Sequence, residues 1–155
     1  MQSPSLEFTQ FFTPTSPEPT SPKPTVWGQL PLDAQERTQS RRRFWWVERD
    51  YELVLALPRG TILRPGDRLQ AITGEVVEII AKAQRVLTVR SDDPQQLLRA
   101  AYHLGNRHVP LEITPEYLRL EDDPVLASLL EQLGIQVQPE TAPFLPEAGA
   151  YHHHH

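Results

Sequence analysis

Two stretches of this chain repeat one another, and the repeat restricts the folds open to it more than any other feature. Asp92-Asp93-Pro94 through Leu104-Gly105 matches Asp122-Asp123-Pro124 through Leu133-Gly134. In each, an aspartate suited to cap a helix precedes a proline suited to the first helical position, an apolar-periodic segment follows, and a glycine closes it. In the first copy Leu97, Ala101 and Leu104 share a helical face, and Gly105 is expected to take the left-handed conformation that ends the helix. Strand-like runs precede the helices at 85–90 and 117–121 and follow them at 109–113 and 135–138. The order β-α-β-β-α-β predicts a ferredoxin-like domain over 84–141, two helices covering one face of an antiparallel four-stranded sheet.

The half before it reads differently. Over 26–83 short strand patterns fall at 44–48, 52–57, 68–72 and 75–80, with Leu53, Leu55 and Leu57 alternating in the second. Pro58-Arg59-Gly60, Pro65-Gly66-Asp67 and Thr73-Gly74-Glu75 punctuate them as turns, so a small all-β domain is expected. Strand alternation must turn one of Trp45 and Trp46 inward. Residues 1–25 carry Pro14, Pro17, Pro19, Pro22 and Pro24 among serines and threonines, and are expected to be a disordered arm despite Leu6, Phe8, Phe11 and Phe12. Beyond Pro139 the chain turns irregular, and 142–155 are expected to be a flexible tail ending in histidines. The fold class is thus α+β.

Composition narrows the function. In 155 residues, 39% of them apolar, the cores must be modest, and small cores favour a partner subunit. A formal charge of -5 argues against phosphate-backbone binding, and Arg41, Arg42 and Arg43 read as a solvated strand edge. The absence of cysteine excludes disulfides, thiolate metal sites and a cysteine nucleophile, and is compatible with the cytosol. No apolar run approaches a membrane span and no signal-peptide pattern opens the chain, which reads as soluble. There is no G-x-S-x-G elbow, G-x-x-x-x-G-K-[ST] phosphate loop, H-E-x-x-H helix or glycine-rich dinucleotide turn, so an enzyme is not expected.

Three segments carry a family resemblance. Tyr102-His103-Leu104-Gly105-Asn106-Arg107-His108-Val109-Pro110-Leu111, then Pro143-Phe144-Leu145-Pro146-Glu147-Ala148-Gly149-Ala150-Tyr151 running into histidines, and upstream Leu57-Pro58-Arg59-Gly60-Thr61-Ile62-Leu63-Arg64-Pro65-Gly66-Asp67, resemble UreE, the urease accessory nickel metallochaperone family. The likeness spans everything after about the first forty residues. It implies a homodimer that binds nickel and delivers it, through an accessory GTPase, to apo-urease, with a first domain suited to peptides or partner proteins. Two departures stand out. Where relatives often have an Asp-Gly type turn this chain has Arg49-Asp50-Tyr51, and where some place further histidines it has Glu121, Asp122, Asp123 and Pro124, of which Asp123 reads as a helix cap.

The metal chemistry must come from six histidines, His103, His108 and His152 to His155. Neutral imidazole suits nickel, zinc and copper alike. A lone histidine after a helix ordinarily makes routine hydrogen bonds, whereas near a two-fold axis it is presented twice. The resemblance implies that His108 is the nickel ligand at the dimer interface. His103, in the last helical turn beside the carbonyl end of the helix dipole, reads as structural or as supporting a metal ligand from behind. His152, His153, His154 and His155 could be a purification-tag remnant; being four, and continuing Gly149-Ala150-Tyr151 directly, they read better as a native tail, and either origin binds metal. So short a tail suggests delivery more than storage. The alternative function is a noncatalytic peptide-binding adaptor or a general divalent-metal buffer.

Overall fold

The computed structural model describes residues 4–13 and 26–150. The chain forms two compact units, Met1–Ala81 and Lys82–His155. Among the described residues, no helix is long and apolar enough to cross a membrane.

The first unit holds β1 (Ser5–Phe12), β2 (Val26–Leu32), a single 3-10 turn (Glu36–Thr38), β3 (Arg41–Trp46), β4 (Tyr51–Ala56), β5 (Arg68–Ala71) and β6 (Val76–Ala81). They form a six-stranded sheet of order β2-β6-β5-β1-β4-β3. The expectation of a disordered arm over 1–25 fails at β1, which lies inside the sheet, parallel to β4 and antiparallel to β5. Leu6 and Phe8 alternate with Glu7 and Thr9, as one buried face requires, and Phe8 is fully buried. The proline-rich stretch hid this proline-free strand, whose pairing is made by residues more than forty positions away. The rest of the expected arm, 1–3 and 14–25, lies outside the described residues. β2 also escaped the sequence reading because it contains Pro31; its place at a sheet edge tolerates a residue without an N–H.

β2 and β3 are opposite edges of this sheet, yet their side chains meet. The Trp27 and Trp46 rings stand edge to face with centroids 5.4 Å apart, and Trp27 meets Tyr51 at 5.2 Å in the same way. Arg49 lies over the Trp27 ring at 4.8 Å and donates from Nη2 to the Trp27 carbonyl at 2.6 Å. The sheet therefore curls until its edges are clasped by aromatic and cation-π contacts. Trp46 is the inward member of its pair, 6% exposed against 41% for Trp45. The hairpin before Tyr51 turns on Asp50 at φ 58°, a left-handed position that aspartate tolerates better than most residues.

The second unit runs β7 (Gln84–Arg90), α1 (Pro94–Asn106), β8 (Glu112–Ile113), β9 (Tyr117–Glu121), α2 (Pro124–Gln132) and β10 (Gln136–Ala142). Its four strands order as β10-β7-β9-β8 with every pair antiparallel. Leu87, Val89, Leu118 and Leu120 on one sheet face pack with Ala100, Leu104 and Leu130 from the helices. β8 is shorter than the expected 109–113, and β10 runs on to Ala142 through Pro139 because it too is an edge strand. The expected flexible tail over 142–155 fails at its start, where Phe144 is fully buried, and its last residues, 151–155, lie outside the described residues.

Two outcomes test these contacts. A Cβ on Gly28 would stand 2.7 Å from Cη2 of Trp46, so Gly28→Ala should cost roughly 1–3 kcal/mol in urea unfolding, the scale of an overpacked core; unchanged stability would mean the clasp is loose. Asp67 is buried in a turn where it accepts from the Arg64 N–H at 2.8 Å, and burial outweighs that bond and the Arg64 charge to raise its pKa. A raised value means that ionisation costs stability as pH rises through it. Asp67→Asn, which keeps an oxygen for Arg64, should therefore be at least as stable as wild type at pH 7 and lose that advantage near about pH 4, read as melting temperatures at both pH values.

Candidate functional site

The end of α1 builds the site. Asp93 caps the helix by accepting from the Gln95 N–H at 3.0 Å, and Pro94 follows. At the other end the Val109 N–H reaches back to the Leu104 carbonyl at 3.1 Å, and the His108 N–H to the Gly105 carbonyl at 3.0 Å. This paired closure needs a left-handed residue between its two bonds, usually glycine. Here that residue is His108, at φ 57°, and Gly105, expected to be the stop, lies inside the helix. α2 ends identically, with Ile135 N–H to Leu130 at 3.0 Å, Gly134 N–H to Glu131 at 2.9 Å, and Gly134 at φ 75°. His108 is thus the counterpart of Gly134.

A left-handed L-residue costs about 1–2 kcal/mol, so the surrounding structure must hold it there. Leu104 and Val109, on either side of the closure, both pack in the core. Arg107 donates from Nη1 to the His103 carbonyl at 3.1 Å, satisfying one of the carbonyls a helix end leaves open. His108 itself is exposed. Its imidazole therefore stands on a fixed backbone post facing solvent. His103, one turn earlier, is half-buried with its ring edge to face against Tyr102 at 5.4 Å. Among the described residues no three His, Cys, Asp or Glu side chains are grouped to hold a metal ion. His108 alone can supply one ligand, and further donors must come from elsewhere.

The C-terminal segment is pinned beside this loop. The Glu147 N–H donates to the Leu111 carbonyl at 2.8 Å and the Leu145 N–H to Glu112 Oε1 at 3.2 Å. Arg119 anchors the same patch, donating to Glu112 at 3.2 Å, Glu140 at 3.0 Å, the Thr88 hydroxyl at 3.1 Å and the Pro143 carbonyl at 3.4 Å, with its guanidinium over the Tyr117 ring. The Thr88 hydroxyl bonds Glu140 in turn and, ahead of Arg119, holds that carboxyl below its ordinary range. His152, His153, His154 and His155 lie outside the described residues. Sequence reasoning missed both the left-handed placement of His108 and the pinning of 143–147. The first was available by aligning Leu104 and Val109 with Leu130 and Ile135, rather than glycine with glycine.

These features define a two-domain α+β protein whose distinctive chemistry is one presented imidazole. Comparison with known proteins makes this specific. The model described as the UreE urease accessory protein, N-terminal domain, matches residues 14–82, and that of the C-terminal domain matches 84–155. The urease accessory protein UreE of Nostoc punctiforme is 51% identical over 151 residues, 97% of each chain, and that of Microcystis aeruginosa is 49% identical over 150 residues, 97% of this chain and 94% of the relative. That of Burkholderia ambifaria is 59% identical over 100 residues, 64% of this chain and 50% of the relative. The chain belongs to the UreE family of urease accessory proteins, which serve urease maturation as accessory proteins rather than as catalysts.

The backbone argument predicts that His108→Gly will be more stable than His108→Ala by roughly 1 kcal/mol, since glycine meets no left-handed penalty. Equal unfolding free energies for the two variants would show that this position is not strained.

Proposed function

We propose that this protein is a nickel carrier for urease maturation: as a homodimer it binds Ni(II), and by way of a partner GTPase it hands the ion to apo-urease in the cytoplasm. The observation that carries this reading is His108, an exposed imidazole on a left-handed backbone post at a core-anchored helix end. A two-fold axis close to it would double the donor set without any new residue. Leu98 and Tyr102, one turn apart on α1 and 71% and 69% exposed, give the same helix an apolar surface that a second copy would cover. In this reading the second unit is a ferredoxin-like dimerisation domain, two His108 rings face each other across the axis, and one or more of His152 to His155 complete the coordination. The first unit docks partner proteins. Zinc and copper also accept imidazole, so selectivity for nickel rests on geometry and on the partners rather than on the ligand type.

Calorimetric titration with nickel tests this. Wild type should show a tight phase, in which the dimer has already fixed two ligands, and a weaker phase from the remaining tail rings. His108→Ala should abolish the tight phase and keep the weak one, and truncation after Tyr151 should remove the weak phase and loosen the tight one. Sedimentation should give a dimer. A tight phase untouched by His108→Ala, or a strict monomer with and without nickel, would overturn the interface site and leave a peptide-binding adaptor with an incidental histidine tail.

A further inference from the structure

We infer that strand β3, an edge of the first unit's sheet, is a docking edge for an acidic segment of a partner protein, which adds to it as one further antiparallel strand. This goes beyond metal binding and rests only on the reading that the first unit docks partner proteins. β3 ends the sheet order and pairs with β4 alone. Among the described residues, no backbone hydrogen bond joins Arg41 through Trp45 to any other element. Every second residue of such a strand turns its N–H and C=O outward, where an added chain can take them. The clasp with Trp27 engages Trp46 and Arg49, at and beyond the end of β3, and not the residues before them.

The side chains on this edge say what it takes. Alternation sets Arg41, Arg43 and Trp45 on the solvent side, away from Phe44 and Trp46, and all three are exposed. Arg42, on the inner side, is already engaged, paired with Glu36 at 3.0 Å and 5.1 Å from the centre of the Phe44 ring. Arg41 has no ion-pair partner among the described residues, and Arg43 has Glu52 at 3.6 Å with its own side chain 74% exposed. The chain carries -5 overall, so this stripe is a local reversal of sign rather than part of a general basic surface. Charge by itself guards an edge strand against other chains, lysine above all. An exposed tryptophan beside the arginines works against guarding and for recognition, because tryptophan and arginine carry much of the binding energy at interfaces. Residues directly opposite one another in an added strand stand about 5 Å apart at Cβ. The complementary segment therefore sets an apolar residue against Trp45 and carboxylates against Arg43 and Arg41, at every second position. The guanidinium of Arg43 has donors for a second carboxylate beside Glu52. A nucleic-acid strand would bring the negative charge but no peptide N–H and C=O for the edge.

A blocked, fluorescent eight-residue peptide with Phe-Thr-Glu-Thr-Glu at its centre, titrated into the full chain and followed by anisotropy, tests this. Saturable binding is expected. It should weaken about fivefold when both glutamates become glutamine and by a similar factor with Arg41→Gln/Arg43→Gln, and combining the two changes should lose no more than either alone. N-methylation of one alternate set of peptide amides should abolish binding and of the other should spare it, because an added strand uses the amides of one side only. Absence of binding, full binding by the glutamine peptide, additive losses, or equal tolerance of the two N-methylated sets overturns the inference. So does tighter binding of a single-stranded oligothymidine, or a change of oligomeric state with Arg41→Gln/Arg43→Gln in sedimentation, which would make a second copy the occupant. The docking reading beneath it is judged separately, by hydrogen exchange of the full chain with the purified partner GTPase. Protection within 26–81 alongside a failed peptide sinks only the inference, whereas no protection anywhere in 26–81 sinks the reading.

Discussion

The bond from the Val109 N–H to the Leu104 carbonyl is the constraint on which the second unit's site depends. It closes α1 back on itself between two residues that are both committed to the core. The chain between them has to reverse, and the residue at the reversal must be left-handed. In α2 the same closure is made around glycine, at no steric cost; in α1 it is made around histidine. A local rule is broken at one copy of a repeat and kept at the other, and the breaking residue bears the only chemistry-bearing ring on that loop. Such conflicts between local preference and global structure concentrate at functional positions.

A second polar device works on the other face of the same sheet. Leu118 and Leu120 face the helices, so strand alternation turns Arg119 the opposite way, where its register partners Thr88 and Glu112 stand. Arg119 and Glu112 are nearly buried, with side chains 12% and 9% exposed. Charges so placed are tolerated only when their hydrogen-bonding groups are used, and here they are spent on Glu140, Thr88 and the backbone of the C-terminal segment. The network thus ties 143–147 to the strands that follow the His108 loop.

The first unit depends on contacts of long sequence separation. β1 joins β4 in parallel, β2 joins β6 in parallel, and the Trp27, Trp46 and Arg49 clasp links the two sheet edges. Each closes a large loop before it contributes, so the unit's stability lies in tertiary pairing rather than in local preference.

What the sequence by itself determined follows from this division. The two helices, their aspartate caps and the β-α-β-β-α-β order were legible because capping and 3.6-residue periodicity are local, and the family was legible because the motifs around His108 and Phe144 are long. What only the tertiary structure decided are the features set by distant partners. β1 is a strand because β4 and β5 flank it, β10 continues through Pro139 because it is an edge, and Phe144 is buried because Glu112 and Leu111 hold the chain around it. Gly105 and His108 show the limit most clearly. Propensity names the glycine as the helix stop, yet the stop falls three residues later, because the core position of Val109, not the conformational freedom of Gly105, determines where the chain can turn back.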